Sequence, residues 1–179
     1  MRKVLYVLGQ MDDLDVQWLA RVGGRRRVAA GQPIIRQGEA SPSLFILLDG
    51  ELSVDIVGRG RVALLRQGEV IGEMSFVDSA PPSATVSGVG EAVVLDIPKH
   101  DLEAKIAADA GFGLRFYRAI ALFLADRLRI AQGGKAAGAP SLSDAARQAD
   151  ELDEKLLDSV SLAGDRFDRL LRTLAGASG

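Results

Sequence analysis

The sequence predicts a mostly β fold with flanking helices. We expect an antiparallel β-roll or jelly roll with an N-terminal helix, a long C-terminal helix after the roll, and an amphipathic helical tail. Between residues 25 and 97, short β-branched or aliphatic runs end at glycine at intervals of roughly 8–12 residues, which is typical of small antiparallel β domains. Apolar residues recur at helical spacing before and after this region. The 179 residues, of which 47% are apolar, suffice for one such domain and an appendage.

The N-terminal region predicts one short helix. Residues 4–9, VLYVLG, fit either a short strand or a packed arm. From Asp12 to Val22 the apolar residues recur at helical spacing, and Asp12 is a suitable N-cap. The apolar face of this helix is predicted to consist of Leu14, Trp18, Leu19 and Val22.

The strand region begins at the run Arg25–Arg27 and ends at Pro98, which stops the last strand. Three consecutive arginines fit a solvated edge strand that resists aggregation better than they fit a nucleic-acid or lipid site. The predicted strands lie within RRRVAAG, PIIRQG, SLFILLDG, ELSVDIVG, RVALLRQG and ATVSGVGEAVVLDIP.

Helical spacing returns near His100, which is predicted to lie on the surface without a catalytic role. The long helix that follows carries an apolar stripe with arginines around it, a pattern of an amphipathic helix. The stripe consists of Phe116, Ile120, Phe123 or Leu124, and Leu128, and the arginines are Arg115, Arg118, Arg127 and Arg129.

The C-terminal region predicts a linker and a helical tail. Residues 133–141, GGKAAGAPS, have no periodicity, and Ser141 with Asp144 fits a capping box. Apolar residues then follow a period of about 3.6, at positions 145, 149, 152, 156, 160, 163, 167, 170 and 174. Gly164 is a candidate break in this helix. The predicted organisation is therefore a domain at 1–131, a linker at 132–141 and a tail at 142–179; the tail either packs back on the roll, pairs with a second copy or docks on a partner.

Residues 68–86, GEVIGEMSFVDSAPPSATV, are the most specific stretch of the chain. They resemble the phosphate-binding cassette of the cyclic-nucleotide-binding domain family, which has the β-roll of catabolite activator protein. The matching elements are Gly68-Glu69, Gly72-Glu73-Met74-Ser75 and Ala84-Thr85-Val86, together with the glycines at 31, 38 and 50. The resemblance covers roughly residues 12–131.

The family's chemistry is physically reasonable for these residues. A short helix that begins near Gly72 presents free backbone N–H groups, which favour an anion. The resemblance implies that Glu73 accepts a hydrogen bond from a ribose 2′-hydroxyl, and that Ser83 contacts the phosphate or helps to choose between purines. Gln132, next to Ala131, is the candidate contact to the base. The full set of ligand-binding residues implied by the resemblance is Ile71, Gly72, Glu73, Met74, Ser75, Pro82, Ser83, Ala84, Thr85 and Gln132.

The sequence departs from the family at Pro82. The family pattern is Pro-Arg-Ala-Ala-Thr-Val, and Pro82 stands where the phosphate-pairing arginine belongs. Proline has neither a charge nor a backbone donor. Losing one charge-assisted hydrogen bond costs about 1.5–3 kcal/mol, or roughly 10- to 100-fold in affinity. Either a substitute cation, such as Arg66 or an arginine of the 115–129 helix, allows cyclic-nucleotide binding, or the site binds something else or nothing.

Composition excludes several classes of function. The chain has no cysteine and one histidine, so it has neither a disulfide scaffold nor the ligands of a cupin-type metal enzyme. The formal net charge of −2 does not recruit nucleic acid or anionic lipid. No apolar run is long enough to cross a membrane, and we expect a soluble, cytoplasmic protein without a metal or cofactor. The 48 residues after residue 131 contain an acidic segment and no plausible recognition helix, so direct DNA binding is not expected.

Two hypotheses follow from the sequence. In the first, the chain is a bacterial, homodimeric, non-enzymatic sensor that binds a cyclic nucleotide such as cAMP or cGMP and signals through its C-terminal helices to a protein partner. In the second, the roll is degenerate, binds no nucleotide and acts as a protein-interaction scaffold.

Overall fold

The structure is a computed structural model, and it describes residues 8–131 and 164–173. The helices are α1 (Asp13–Val22), α2 (Glu73–Val77), α3 (Lys99–Ala108), α4 (Ala110–Ala131) and α5 (164–173). The strands are β1 (Gly24–Val28), β2 (Pro33–Ile35), β3 (Ser43–Asp49), β4 (Glu51–Ile56), β5 (Gly60–Arg66), β6 (Val70–Ile71), β7 (Thr85–Gly88) and β8 (Ala92–Pro98). The predicted β-roll with flanking helices is confirmed.

The eight strands form two antiparallel four-stranded sheets, with strand orders β1-β8-β3-β6 and β2-β7-β4-β5. Residues 44–48 of β3 are all apolar, and both faces of the strand are buried along this run. Phe45 and Leu47 face the second sheet, whereas Leu44, Ile46 and Leu48 belong to a second apolar cluster built with the helices. The predicted edge position of Arg25–Arg27 is confirmed, since β1 lies at the edge of its sheet.

Helix α1 begins at the predicted cap. Asp12 forms a capping box with Asp15. The predicted apolar face is partly wrong, because Leu14 is 76% exposed and Asp15 is buried instead. The helix is rotated in this way because Arg115 of α4 pairs with the buried carboxylate of Asp15, with Nε–Oδ2 and Nη2–Oδ1 distances of 2.7 and 2.9 Å.

Helix α4 packs on the outer face of the roll through Phe116, Ile120 and Phe123, as the stripe predicts. The prediction for Leu128 is wrong, since its side chain is 58% exposed. At this end of α4 the packed face contains position 127 instead, because residue 127 lies one helical turn after Phe123.

The two ends of the described chain meet. Residues 8–10 are helical, which excludes a strand there, and Leu8 is fully buried. Phe167 and Leu170 of α5 are buried in the same cluster as Leu8, so this part of the tail packs back on the domain. The predicted linker 132–141 and the tail before residue 164 lie outside the described residues, and the predicted domain boundaries stay a prediction. None of the described helices is both long and apolar enough for a membrane span.

Candidate functional site

The cassette residues line a small cavity of about 110 Å³, which we call the cassette cavity. Its wall is the turn from β6 into α2 and the loop before β7, and its remaining surface is aliphatic. The lining residues are Ile35, Val54, Leu65, Ile71, Gly72, Glu73, Met74, Ser75, Pro82, Ser83, Ala84, Val86 and Arg127. Eight of the ten residues predicted from the resemblance are therefore brought together in one place.

Gly72 sets the direction in which α2 leaves β6. Its φ of 87° lies in the left-handed region, where a side chain is strained. A Cβ at this position would lie 3.2 Å from the carbonyl oxygen of Ser43. The Gly72 carbonyl accepts hydrogen bonds from the Phe76 N–H and the Ser75 hydroxyl, both at 3.2 Å. A glycine is thus required for the strand-to-helix turn that points Glu73 into the cavity.

Glu73 is a buried acid with a cationic partner. Its side chain is 3% exposed, and its carboxylate pairs with the guanidinium of Arg127 from α4. Burial raises the pKa of Glu73, while Arg127 and the Glu73 backbone N–H oppose this effect. The cavity therefore holds one carboxylate and one guanidinium that already satisfy each other.

Arg127 is the cation of the cassette cavity, and Arg66 is not. The Arg127 guanidinium lies over the Phe123 ring, 5.0 Å from its centroid, which fixes its approach to Glu73. Arg66 pairs instead with Glu51 at 3.2 Å and has a 77% exposed side chain. The sequence predicts Arg66 or an arginine of the long helix as a substitute for the missing arginine at position 82. The structure places Arg127 of that helix in the cavity.

The loop before β7 is fixed by the turn at Gln37–Gly38. The Gly38 N–H donates to the Pro82 carbonyl at 2.9 Å, and the Gln37 N–H donates to Thr85 Oγ1 at 3.1 Å. Pro82, Ser83 and Ala84 line the cassette cavity. Thr85 lies beside it with its hydroxyl bonded to the backbone of this turn, and Gln132 lies outside the described residues.

Helix α2 is tied to the helices that follow the roll. Lys99, the first residue of α3, donates from Nζ to Ser75 Oγ at 2.9 Å, and burial lowers the pKa of this lysine. On the opposite side, the Phe76 ring packs edge-on against Phe116 of α4, with centroids 5.6 Å apart. Together with the Glu73–Arg127 pair, these contacts join the cavity wall to both α3 and α4.

Arg127 is the functional candidate that sequence reasoning did not single out. In the sequence it is one of four arginines around the apolar stripe of the long helix, and the predicted stripe continues through Leu128 instead. The useful signal was its position one turn after Phe123, which places it on the packed side of α4. Within residues 8–131 and 164–173, no group of three or more His, Cys, Asp or Glu side chains could hold a metal ion.

A concave cavity with aliphatic walls and a few convergent polar groups is typical of a small-molecule site. Residues 25–109 match the family profile described as cyclic nucleotide-binding domain. These residues therefore belong to the cyclic nucleotide-binding domain family.

Known proteins agree with this assignment. A cGMP-dependent protein kinase of Toxoplasma gondii is 36% identical over 73 residues, which are 41% of this chain and 7% of the kinase. The cyclic nucleotide-binding domain of Methylobacillus flagellatus aligns with a TM-score of 0.65 at 20% identity, over 74% of this chain and 80% of that one. Catabolite activator protein of Thermus thermophilus aligns with a TM-score of 0.61 at 22% identity, over 96% and 87%. The two structural likenesses concern the fold alone, and the chain spans 7–27% of the length of the curated relatives compared first.

Proposed function

We propose that the chain is a regulatory module that binds a cyclic nucleotide in the cassette cavity and transmits binding through α4 to a protein partner. The observation that carries this proposal is the Glu73–Arg127 pair inside the cavity. A cyclic nucleotide combines a ribose hydroxyl, which is a donor, with a phosphate anion. The pair offers one acceptor and one cation to match them.

Arg127 supports anion binding despite Pro82. It is the single cation among the described residues that line the cavity. A guanidinium binds phosphate with two parallel hydrogen bonds, and a partly buried setting strengthens them. In this proposal the ligand phosphate binds the Arg127 guanidinium in place of Glu73. The carboxylate of Glu73 then accepts a hydrogen bond from the ribose 2′-hydroxyl. The relatives support the ligand class, since one of them is named a cGMP-dependent kinase.

The size of the cavity supports a conformational step. Its volume of about 110 Å³ is below the roughly 300–1,000 Å³ of typical small-molecule sites. A nucleotide therefore requires Arg127 to move, and Arg127 is part of α4. Ligand binding is therefore coupled to the position of α4. A ligand that binds better when Arg127 has moved favours the corresponding arrangement of the helix.

A homodimer through α4 is the second part of the proposal. The outward side of α4 carries apolar residues at alternating steps of three and four, which is the spacing of a two-stranded coiled coil. They are Leu114 (74% exposed), Tyr117 (45% exposed), Ala121, Leu128 (58% exposed) and Leu124, which is half-buried against the core. Because this stripe is self-complementary under a two-fold axis, the occupant we infer for it is a second copy of the chain.

Calorimetry with cyclic AMP, cyclic GMP and cyclic dinucleotides at high micromolar concentration tests the proposal. We expect heat of binding with at least one of them, and weaker binding by Glu73→Ala because the ribose acceptor is lost. Absence of heat with every nucleotide would contradict the proposal. Unchanged affinity in Glu73→Ala would remove Glu73 from the site.

Pro82→Arg is the gain-of-function test. Restoring a phosphate-pairing cation should tighten binding roughly 10- to 100-fold. The hydrogen bond from Gly38 is retained, because it uses the carbonyl of residue 82. Pro81→Arg is the matched control, since Pro81 adds the same charge one residue away but does not line the cavity. Equal effects of both substitutions would indicate a general charge effect instead of a phosphate contact.

Pro82 also supports the alternative, a roll that binds no nucleotide and acts as a scaffold. In that case neither cyclic AMP nor cyclic GMP changes the capture of a protein partner, and Pro82→Arg creates no response. Deletion of residues 141–179 then abolishes partner capture on its own.

A further inference from the structure

Helix α5 docks on α1 through two arginines and two apolar side chains. Arg166 donates from Nε to Asp13 Oδ1 at 2.7 Å and from Nη1 to the Leu8 carbonyl at 3.1 Å. Arg169 donates from Nη1 to Asp13 Oδ2 at 2.7 Å. Asp13 thus receives one guanidinium on each carboxylate oxygen. We call this surface of Leu8, Met11 and Asp13 the α5 seat.

The apolar side of α5 is hidden in the docked state. Phe167 and Leu170 are 0% and 1% exposed, and both belong to the cluster that contains Leu8, Met11 and the inner face of α4. Short isolated helices are marginal in water, so residues 164–173 gain helical stability from this docking. Releasing α5 would expose a Phe-Leu face flanked by arginines, and would empty a seat with the complementary charge.

Ion pairs connect the α5 seat to the cassette cavity. Glu73 of α2 pairs with Arg127 of α4. At the other end of α4, Arg115 pairs with Asp15 of α1, whose carboxylate is buried. Asp13, two residues earlier on α1, holds α5. A change in the position of α4 therefore reaches the helix that carries the seat.

We propose that α5 is a releasable cover, and that a nucleotide which draws Arg127 away from Glu73 loosens α5 from its seat and exposes the Phe167–Leu170 face to a protein partner. The ligand part of this inference rests on the proposed function. The docking part and its coupling to Arg127 do not require a nucleotide.

Amide hydrogen exchange of residues 164–173 in the full chain tests the docking. In Arg166→Gln, which loses the charge-assisted bonds to Asp13 and to the Leu8 carbonyl, we expect exchange in α5 to be roughly tenfold faster or more. Arg172→Gln is the matched control, because Arg172 lies on the same helix and donates to the Asp168 carbonyl of that helix. Equal exchange in Arg166→Gln and Arg172→Gln would overturn the docking.

The coupling has its own test without a ligand. Arg127→Gln breaks the pair in the cavity and should speed exchange in α5 through the contact of α4 with α1. If exchange in α5 is unchanged in this variant, the coupling is wrong even where docking is confirmed.

The ligand step is tested by measuring binding and hydrogen exchange in α5 with cyclic AMP and with cyclic GMP. If calorimetry detects binding and α5 exchanges faster with the nucleotide, the inference holds. If binding occurs and α5 exchange does not change, the inference fails and the proposed function stands. If neither nucleotide binds at high micromolar concentration, the ligand step fails together with the proposed function, and the two variants above still decide the docking and the coupling.

Discussion

Burial disfavours the charged form of the Glu73 carboxyl group, although this group pairs with Arg127. Burial raises the pKa of this group above that of an unfolded chain. Between the two values the folded state holds a proton that the unfolded state has lost, so stability decreases as the pH rises through this interval. The structure therefore places an acid in the cavity in spite of its effect on stability.

We predict that Glu73→Gln has a higher melting temperature than the natural chain at pH 8, and that the difference shrinks toward pH 4. At pH 4 the natural side chain is largely protonated and resembles the amide. Thermal unfolding followed by circular dichroism across this pH range measures the effect. Glu51→Gln is the control, because Glu51 forms an exposed pair with Arg66 that contributes little. A lower melting temperature of Glu73→Gln at pH 8 would mean that the Arg127 pair outweighs burial.

At the scale of elements, the turn between β3 and β4 is held against β8. Gly50 has a φ of 82°, and a Cβ there would lie 2.5 Å from the Glu91 carbonyl oxygen. Gly58, in the turn between β4 and β5, has a φ of 80° and open space around it. The two glycines thus share a backbone conformation and differ in their surroundings.

Gly50→Ala should destabilise the fold by about 3 kcal/mol or more, and Gly58→Ala by about 1–2 kcal/mol, since only the first adds a backbone clash to the left-handed strain. Urea unfolding of both variants measures the difference. Equal losses of unfolding free energy in the two variants would show that the backbone at the start of β8 moves away from residue 50 at little cost.

The contact between α1 and α4 depends on one buried acid. Arg115→Gln leaves the Asp15 carboxylate, which is 4% exposed, without its bidentate partner. We expect a loss of about 3 kcal/mol at pH 7 in urea unfolding.

The pKa of Asp15 shows how this loss should depend on pH. Burial raises this pKa, but the hydrogen bonds from Arg115 and from the Asp12 backbone outweigh burial and hold it below its ordinary value. The contribution of the pair is therefore complete above the unfolded pKa and disappears as the pH falls through the folded one. Arg118→Gln, an exposed change on the same helix, should cost at most about 0.5 kcal/mol. A similar loss in both variants would contradict a special role for Asp15.

At the scale of the whole molecule, the outward stripe of α4 predicts self-association. Leu128→Asp places a charge in the apolar seam and should turn a dimer into a monomer in sedimentation velocity experiments. Leu14→Asp is the control, because Leu14 is 76% exposed on α1 and lies off the stripe. A monomeric natural chain, or a dimer that survives Leu128→Asp, would contradict the proposed interface.

Much of this architecture could be predicted from local pattern. Glycine spacing located the strands, and the cassette motif located eight of ten cavity residues, because a short-range motif fixes its own turn. The errors concern long-range partners. Periodicity predicts Leu14 on the packed face and does not show that Asp15 is buried, because the partner of Asp15 is an arginine a hundred residues later. Arg127 was hidden for the same reason, since its role depends on Glu73, 54 residues earlier.

The Glu73–Arg127 pair should also limit the rate at which a nucleotide associates with the chain. Both members of the pair line the cassette cavity of about 110 Å³, so we expect the pair to open before a nucleotide enters. The observed association rate should then level off at high nucleotide concentration, at the rate of opening, instead of rising in proportion. Stopped-flow measurements on the natural chain and on Arg127→Gln would reveal the difference: the first should saturate and the second should stay linear. The speed of the response would be set by the protein and not by the supply of its ligand.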